Sequence, residues 1–209
     1  MDVGDSIKVL SANCQGIRNF QKRIDVLSYL KEQNPNIVCL QDTHLIENDM
    51  MNIKELWNNE VFICEGKTNA RGILILLNNN FEYEVLSCNR DKNGNYLNLV
   101  LKLSSMTLNL TTLYGPNNDC PSFFEDMQAL LENNSADYNI FCGDFNLTLN
   151  QDLDTYNYLH INNPRARQAV LDLIRVNELS DVYRELHPCT KKYTWRRRNP
   201  VKQARLDLF

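Results

Sequence analysis

The sequence predicts an α/β sandwich in which packed β-sheets are covered by helices. Short β-rich runs alternate with helical patterns, some neighbouring strands are spaced for hairpins, and strict βαβ repetition is absent. With 209 residues the chain can bury most of its unfolded surface in one core. No internal repeat, low-complexity stretch or linker divides it, so residues 1–209 read as a single domain.

Taken in order, residues 7–12 (IKVLSA) form a first strand. Phe20, Ile24, Leu27 and Leu30 then recur at helical spacing until Asn34-Pro35 stops the helix. Residues 37–41 (IVCLQ) give the second strand, a short amphipathic helix covers about 49–58, and 61–64 is strand-like. GILILL (72–77) and FEYEVLS (81–87) make a candidate hairpin across Asn78-Asn79-Asn80. In 96–103 the leucines at 97, 99, 101 and 103 show the period-two pattern of a strand with one buried face, and 106–113 is its expected antiparallel partner. Pro121 opens a helix with Phe123, Met127, Leu130 and Leu131 on one stripe, and 138–143 returns to strand. A helix at about 165–177 lines up Ala166, Val170, Leu173 and Ile174, and ARLDLF ends the chain as strand.

Composition closes off several classes. With 43 % hydrophobic and 23 % charged residues the chain is neither disordered nor collagen-like. The longest apolar run, Ile73 to Leu77, is far below the roughly 20 residues a membrane span needs. The N-terminus carries acids where a secretory leader carries Lys or Arg, so no secretion signal is expected. Seven scattered cysteines without a C-x-x-C pair read as reduced structural residues. The net charge of −4 hides an asymmetry: residues 191–209 hold seven basic residues and one acid, against 15 basic and 25 acidic residues before them. Lys and Arg interleaved with Tyr193 and Trp195 there suit a nucleic-acid backbone, although a solvated surface loop would look the same.

Four polar clusters stand where buried-looking strands end: Asn13, Gln41-Asp42-Thr43-His44, Tyr114-Gly115-Pro116-Asn117 and Gly143-Asp144-Phe145-Asn146. Sheet ends are where α/β proteins place binding groups. Each cluster alone reads more readily as a turn former or helix cap, because an Asp or Asn side chain there bonds the nearby backbone. Together they supply carboxylates, amides and a phenol without a thiol or histidine cluster. Such hard oxygen donors suit Mg²⁺ and phosphodiester chemistry, in which a metal steadies the leaving oxyanion and an Asp/Asn pair positions the attacking water.

The ordered blocks S-A-N-C-Q-G (11–16), L-Q-D-T-H-L (40–45), L-Y-G-P-N (113–117), G-D-F-N (143–146), Y-T-W (193–195) and A-R-L-D (204–207) resemble the endonuclease domain of LINE-type, non-LTR retrotransposons. That domain belongs to the endonuclease/exonuclease/phosphatase superfamily and is similar to apurinic endonucleases. The resemblance, running from about residue 7 to the end, implies a four-layer α/β sandwich of two mixed β-sheets flanked by helices. It implies a Mg²⁺-dependent nickase, with Mn²⁺ as a substitute, that acts as a monomer on double-stranded DNA. The 3′-hydroxyl it leaves would prime a reverse transcriptase domain of the same element.

Carried over residue by residue, the resemblance makes Asp42 the metal-binding acid and has Asn13 hold the metal-site carboxylate. Tyr114 would contact the scissile phosphate, Asp144 would align or deprotonate the water, and Asn146 would lie beside it on the phosphate. Thr194 would bond a DNA phosphate, Asp207 would orient the catalytic histidine, and Arg196, Arg197, Arg198 and Lys202 would meet the DNA backbone. Two departures stand out. Asp42 occupies a position where the family usually has Glu. The C-terminal Ser-Asp-His block, which carries a second metal-site acid and the catalytic histidine, is not among these residues. The expectation is a truncated chain missing its C-terminal strands and impaired in cleavage. His44 is expected to pack or orient its loop, and His160 and His187 to be structural. Two further readings stay open: another superfamily phosphodiesterase, such as an abasic-site repair nuclease or a phosphatase, and a non-catalytic DNA-binding remnant.

Overall fold

A computed structural model describes residues 6–67 and 69–209. One sheet has the order β1 (Val9–Asn13), β2 (Ile37–Gln41), β4 (Ile73–Leu77), β3 (Val61–Cys64). The second runs β12 (Asp207–Leu208), β8 (Tyr138–Asp144), β7 (Thr107–Tyr114), β6 (Tyr96–Lys102), β5 (Glu84–Arg90). Pairs β1–β2 and β7–β8 are parallel and the other contacts in these two sheets are antiparallel, so both sheets are mixed.

Side-chain alternation assembles the layers. Ile37, Cys39, Ile73, Ile75 and Leu77 face Leu97, Leu99, Leu101, Leu108, Leu110 and Cys142 of the other sheet, and this is the inter-sheet core. The intervening Val38, Leu40, Leu74 and Leu76 pack with Leu27 and Leu30 of α1 (Phe20–Glu32) and with Ile53 and Trp57 of α2 (Met50–Trp57). On the far side, Phe124, Met127 and Leu131 of α3 (Pro121–Asn133) and Val170 and Leu173 of α5 (Pro164–Val176) cover Leu113, Phe145 and Leu208. The result is helix, sheet, sheet, helix, the four-layer sandwich expected.

The candidate hairpin of 72–77 with 81–87 does not form. β4 lies between β2 and β3, while β5, which starts only at Glu84, pairs with β6 in the other sheet. Every residue of β4 is buried, so its apolar run demands sheet partners on both edges, and Asn78-Asn79-Asn80 carries the chain across the sandwich. Two stripes also shift by a position. Phe20 opens α1 but is 55 % exposed, and Arg23 takes a buried place, bonded to Asp49 and Asn52. Phe124 rather than Phe123 enters the core from α3.

The second face of β6, expected to meet solvent, is buried as well. Asn98 there is fully covered and belongs to an asparagine row that crosses four strands: Asn89 donates to Asn98, Asn98 to Asn109 and Thr111, and Asn109 to Asn139. Each buried amide is thereby satisfied, which is what makes polar residues tolerable under α3.

A small third sheet joins β10 (Trp195–Arg198), β11 (Val201–Ala204) and β9 (Thr155–Tyr156). It is bolted to the sandwich through Arg205. The fully buried Asp154, in α4 (Gln151–Asp154), accepts from Arg205 Nε at 2.8 Å and Nη2 at 3.2 Å and from Arg184 of α6 (Val182–Leu186). Arg205 also bonds both oxygens of Asp181 and lies over the Tyr183 ring. Truncating Arg205 leaves the Asp154 charge buried without its main partner. Arg205→Ala should therefore lower the unfolding free energy by about 3–5 kcal/mol in urea titrations, with the far-UV spectrum of the folded protein retained.

Candidate active site

The inter-sheet core becomes polar at one end. Extending each strand's inward face by two residues leads from Cys39 to Gln41, from Thr112 to Tyr114, and from Cys142 to Asp144. The register sets these groups side by side. Asp207, Asp144 and Tyr114 are directly paired across β12, β8 and β7, as Asn13 and Gln41 are across β1 and β2. Asn13 Nδ2 then donates to Asp144 Oδ2 at 2.8 Å across the two sheets, and Gln41 Nε2 donates to Thr112 Oγ1 at 2.8 Å beneath it.

Asp144 is 6 % exposed. Burial first, then the neighbouring Asp207 charge, push its carboxyl up to about 6, against the pull of hydrogen bonds from the Asn146 N–H and from Asn13. Asp207 is likewise raised by burial, and Thr194 restrains that rise. Burial and then the Asp42 charge raise the Tyr114 phenol, opposed by hydrogen bonding with Asn146 and Asn117. Asp42, Tyr114, Asp144 and Asp207 therefore share one electrostatic site, with Asn146 beside them.

Asn146 adopts a left-handed conformation (φ 52°) that Asn tolerates well. This lets its N–H reach Asp144 Oδ1 at 2.9 Å while Nδ2 donates to Gly115 O at 2.7 Å. Gly143 (φ +136°) is needed because a Cβ there would collide with the carbonyl oxygen of Leu113, which pairs with it on β7.

Asp42 leaves β2 in a left-handed turn (φ 55°), and its Oδ1 is bonded to the Arg71 N–H and to His44 Nε2, both at 3.0 Å. His44 thus orients that loop, as expected. The Asn13 amide oxygen accepts from the Gln15 N–H, and its nitrogen holds Asp144. Thr194 is exposed, and its hydroxyl oxygen accepts from the N–H groups of Leu206 and Asp207. Arg196, Arg197, Arg198 and Lys202 lie on the outward β10–β11 hairpin, whose base meets the site through Thr194 and Ala204. Arg205 and the loop asparagines Asn162 and Asn163, whose side chains donate to the carbonyl oxygen of Asn146 at 3.2 and 3.1 Å, carry no signal in the sequence that marks them for the site.

Among the described residues no group of three or more His, Cys, Asp or Glu side chains forms a ready metal cage. A hydrated ion needs less. Among the described residues only one Asp42 oxygen has hydrogen-bond partners, and the adjacent Gln41 Oε1 is buried without one. Together with mutually repelling carboxylates, this donor set fits a Mg²⁺ that keeps waters and takes few protein oxygens.

The chain belongs to the Endonuclease/Exonuclease/phosphatase family, whose profile matches residues 10–209. It is 30 % identical over 211 residues to the Transposon TX1 uncharacterized 149 kDa protein of Xenopus laevis, covering 97 % of this chain and 16 % of that protein. The chain thus spans about a sixth of the length of that relative. Among solved structures, the AP endonuclease LMAP from Leishmania major superposes with a TM-score of 0.76 at 18 % identity, covering 97 % of this chain and 78 % of that one. The 3′ phosphatase NExo from Neisseria, bound to a product DNA hairpin, gives a TM-score of 0.71 at 18 % identity, with 97 % and 85 % covered. Both structures share the fold. The resemblance drawn from the motif order agrees with this family and with the transposon relative. No helix among the described residues is long and apolar enough to cross a membrane.

Carboxyl-carbon NMR in a chelator should give Asp144 a titration midpoint near 6, and Asp207→Asn should move it down toward the ordinary carboxylate value. Because the folded protein holds this proton more tightly than the unfolded chain, the group's stabilising contribution is full below about pH 4 and is lost as pH rises through about 6.

Proposed function

We propose that the chain is the Mg²⁺-dependent DNA endonuclease of a LINE-type, non-LTR retrotransposon. It cuts one strand of double-stranded DNA to leave a 3′-hydroxyl for reverse transcription. Mn²⁺ can replace Mg²⁺, the working unit is a monomer in the nucleus or cytoplasm, and a reverse transcriptase domain belongs to the same element. The observation that carries this reading is the convergence of Asn13, Tyr114, Asp144, Asn146 and Asp207, with Asp42 beside them, at one end of the two sheets.

Asp144, held by Asn13 and the Asn146 N–H, aligns a water for attack on phosphorus and accepts its proton. A carboxyl raised to about 6 is ionised at neutral pH yet a stronger base than an ordinary Asp. The water oxygen bonds to phosphorus, the bond to the 3′ oxygen breaks, and that oxygen takes a proton from solvent. The Tyr114 hydroxyl and the Asn146 amide donate to non-bridging oxygens, where charge accumulates. Asp42 would hold the metal, which when bound polarises the phosphate and steadies the leaving oxyanion. The arginines of β10 and Lys202 contact neighbouring phosphates.

Nicking of supercoiled plasmid tests the proposal. Nicks should appear with Mg²⁺ or Mn²⁺ and not in chelator, and Asp144→Ala should slow them by about 100-fold or more. Among the described residues no histidine bonds Asp144 or Asp207, so joining a Ser-Asp-His block after Phe209 should accelerate nicking. Salt-sensitive binding without cleavage in either form would favour the DNA-binding remnant. Nicking indifferent to Asp144→Ala would overturn the site.

A further inference from the structure

Between β9 and α5 the chain makes a loop, 157–163, bounded by Asn157 and Asn163 in left-handed conformations. Its departing end is fastened to the basic hairpin. Tyr156 pairs with Gln203, Asn157 Nδ2 donates to Val201 O at 2.8 Å, and Lys202 Nζ sits 5.1 Å over the Tyr158 ring. Its returning end is fastened to the candidate site: Asn162 and Asn163 both donate to Asn146 O, and Asn163 also to Asn117 O. Asn163 makes no side-chain cap for α5, so its amide serves the site instead. Between these anchors, Leu159 is 85 % exposed and Ile161 40 % exposed.

At 85 % exposed, Leu159 buries almost none of its side chain in the fold. Here it stands on a short span pinned at both ends, with cationic side chains on one flank and the phosphate-handling residues on the other. Apolar side chains carried beside basic ones enter base steps of duplex DNA, exchanging unstacking for closer contact with a bent backbone. We infer that Leu159 and Ile161 form an apolar wedge that enters a base step of duplex DNA next to the cleaved phosphodiester. This rests on the DNA-cleaving reading of the site and adds the element that opens the helix there. The wedge favours steps that unstack easily, a preference read through deformability rather than base edges.

The test compares the protein with its Leu159→Ser/Ile161→Ser variant, in chelator, on a fully paired duplex and on the same duplex with a one-base bulge. The variant should bind the paired duplex about tenfold more weakly and the bulged one within about twofold of the parent, since the bulge is already unstacked. Fluorescence of 2-aminopurine placed along the paired duplex should rise at one step with the parent and stay quenched with the variant. Equal loss on both duplexes, or no loss, would overturn the wedge, as would quenched fluorescence with the parent bound. If the parent binds and nicks without that rise, the wedge alone fails. If it binds neither duplex, the DNA-cleaving reading fails with it. A variant that changes only the sedimentation of the protein would instead mark these side chains as a contact between copies.

Discussion

The Asn13–Asp144 hydrogen bond joins residues 131 positions apart in the chain and belongs to two different sheets. It exists only because the inner faces of β1 and β8 lie against each other with both C-terminal ends at the same edge. Parallel pairing sets this arrangement within each sheet: β1 and β2 end together, as do β7 and β8. Face-to-face packing of Ile37, Cys39 and Ile75 on Leu99, Leu110 and Cys142 then sets it between them. Burying that apolar surface is the dominant stabilisation, and the polar groups at its mouth are carried there by the strand period.

Holding three carboxylates at a low-dielectric mouth is costly, as the elevated Asp144 and Asp207 carboxyls record. The fold compensates around them rather than at them. Arg205 fixes the backbone before Asp207 by binding Asp154 and Asp181, and the Thr194 hydroxyl oxygen accepts the N–H groups of Leu206 and Asp207. The backbone at Gly143, too close to β7 for a side chain, brings Asp144 into register with Tyr114. These features spend stability elsewhere to keep a charged, preorganised cluster.

Much of this was legible in the sequence because it is local. Strands and helices announce themselves by period, and the polar residues at their ends, Asn13, Tyr114 and Asp144 with Asp42 just after β2, come together at one end of the two sheets. Partnership was not legible. GILILL and FEYEVLS look like a hairpin because nothing local says that β4 needs two buried edges. Asn98 looks like a solvent-facing residue because its satisfying partners, Asn109 and Thr111, lie on another strand. The same limit hid the backbone partners of the Thr194 hydroxyl and the burial of Arg205, whose basic neighbours made it look like one more surface charge.

If the proposed site works, the two sheet ends act as one catalytic unit. Single-turnover nicking in Mg²⁺ by the parent, Asn13→Ala, Asp144→Ala and the double variant tests it most directly. Members of one unit are strongly non-additive, so the double variant should be no slower than Asp144→Ala alone. Losses that multiply in the double variant would mean that the two residues act independently, and that the sheet ends do not form one unit.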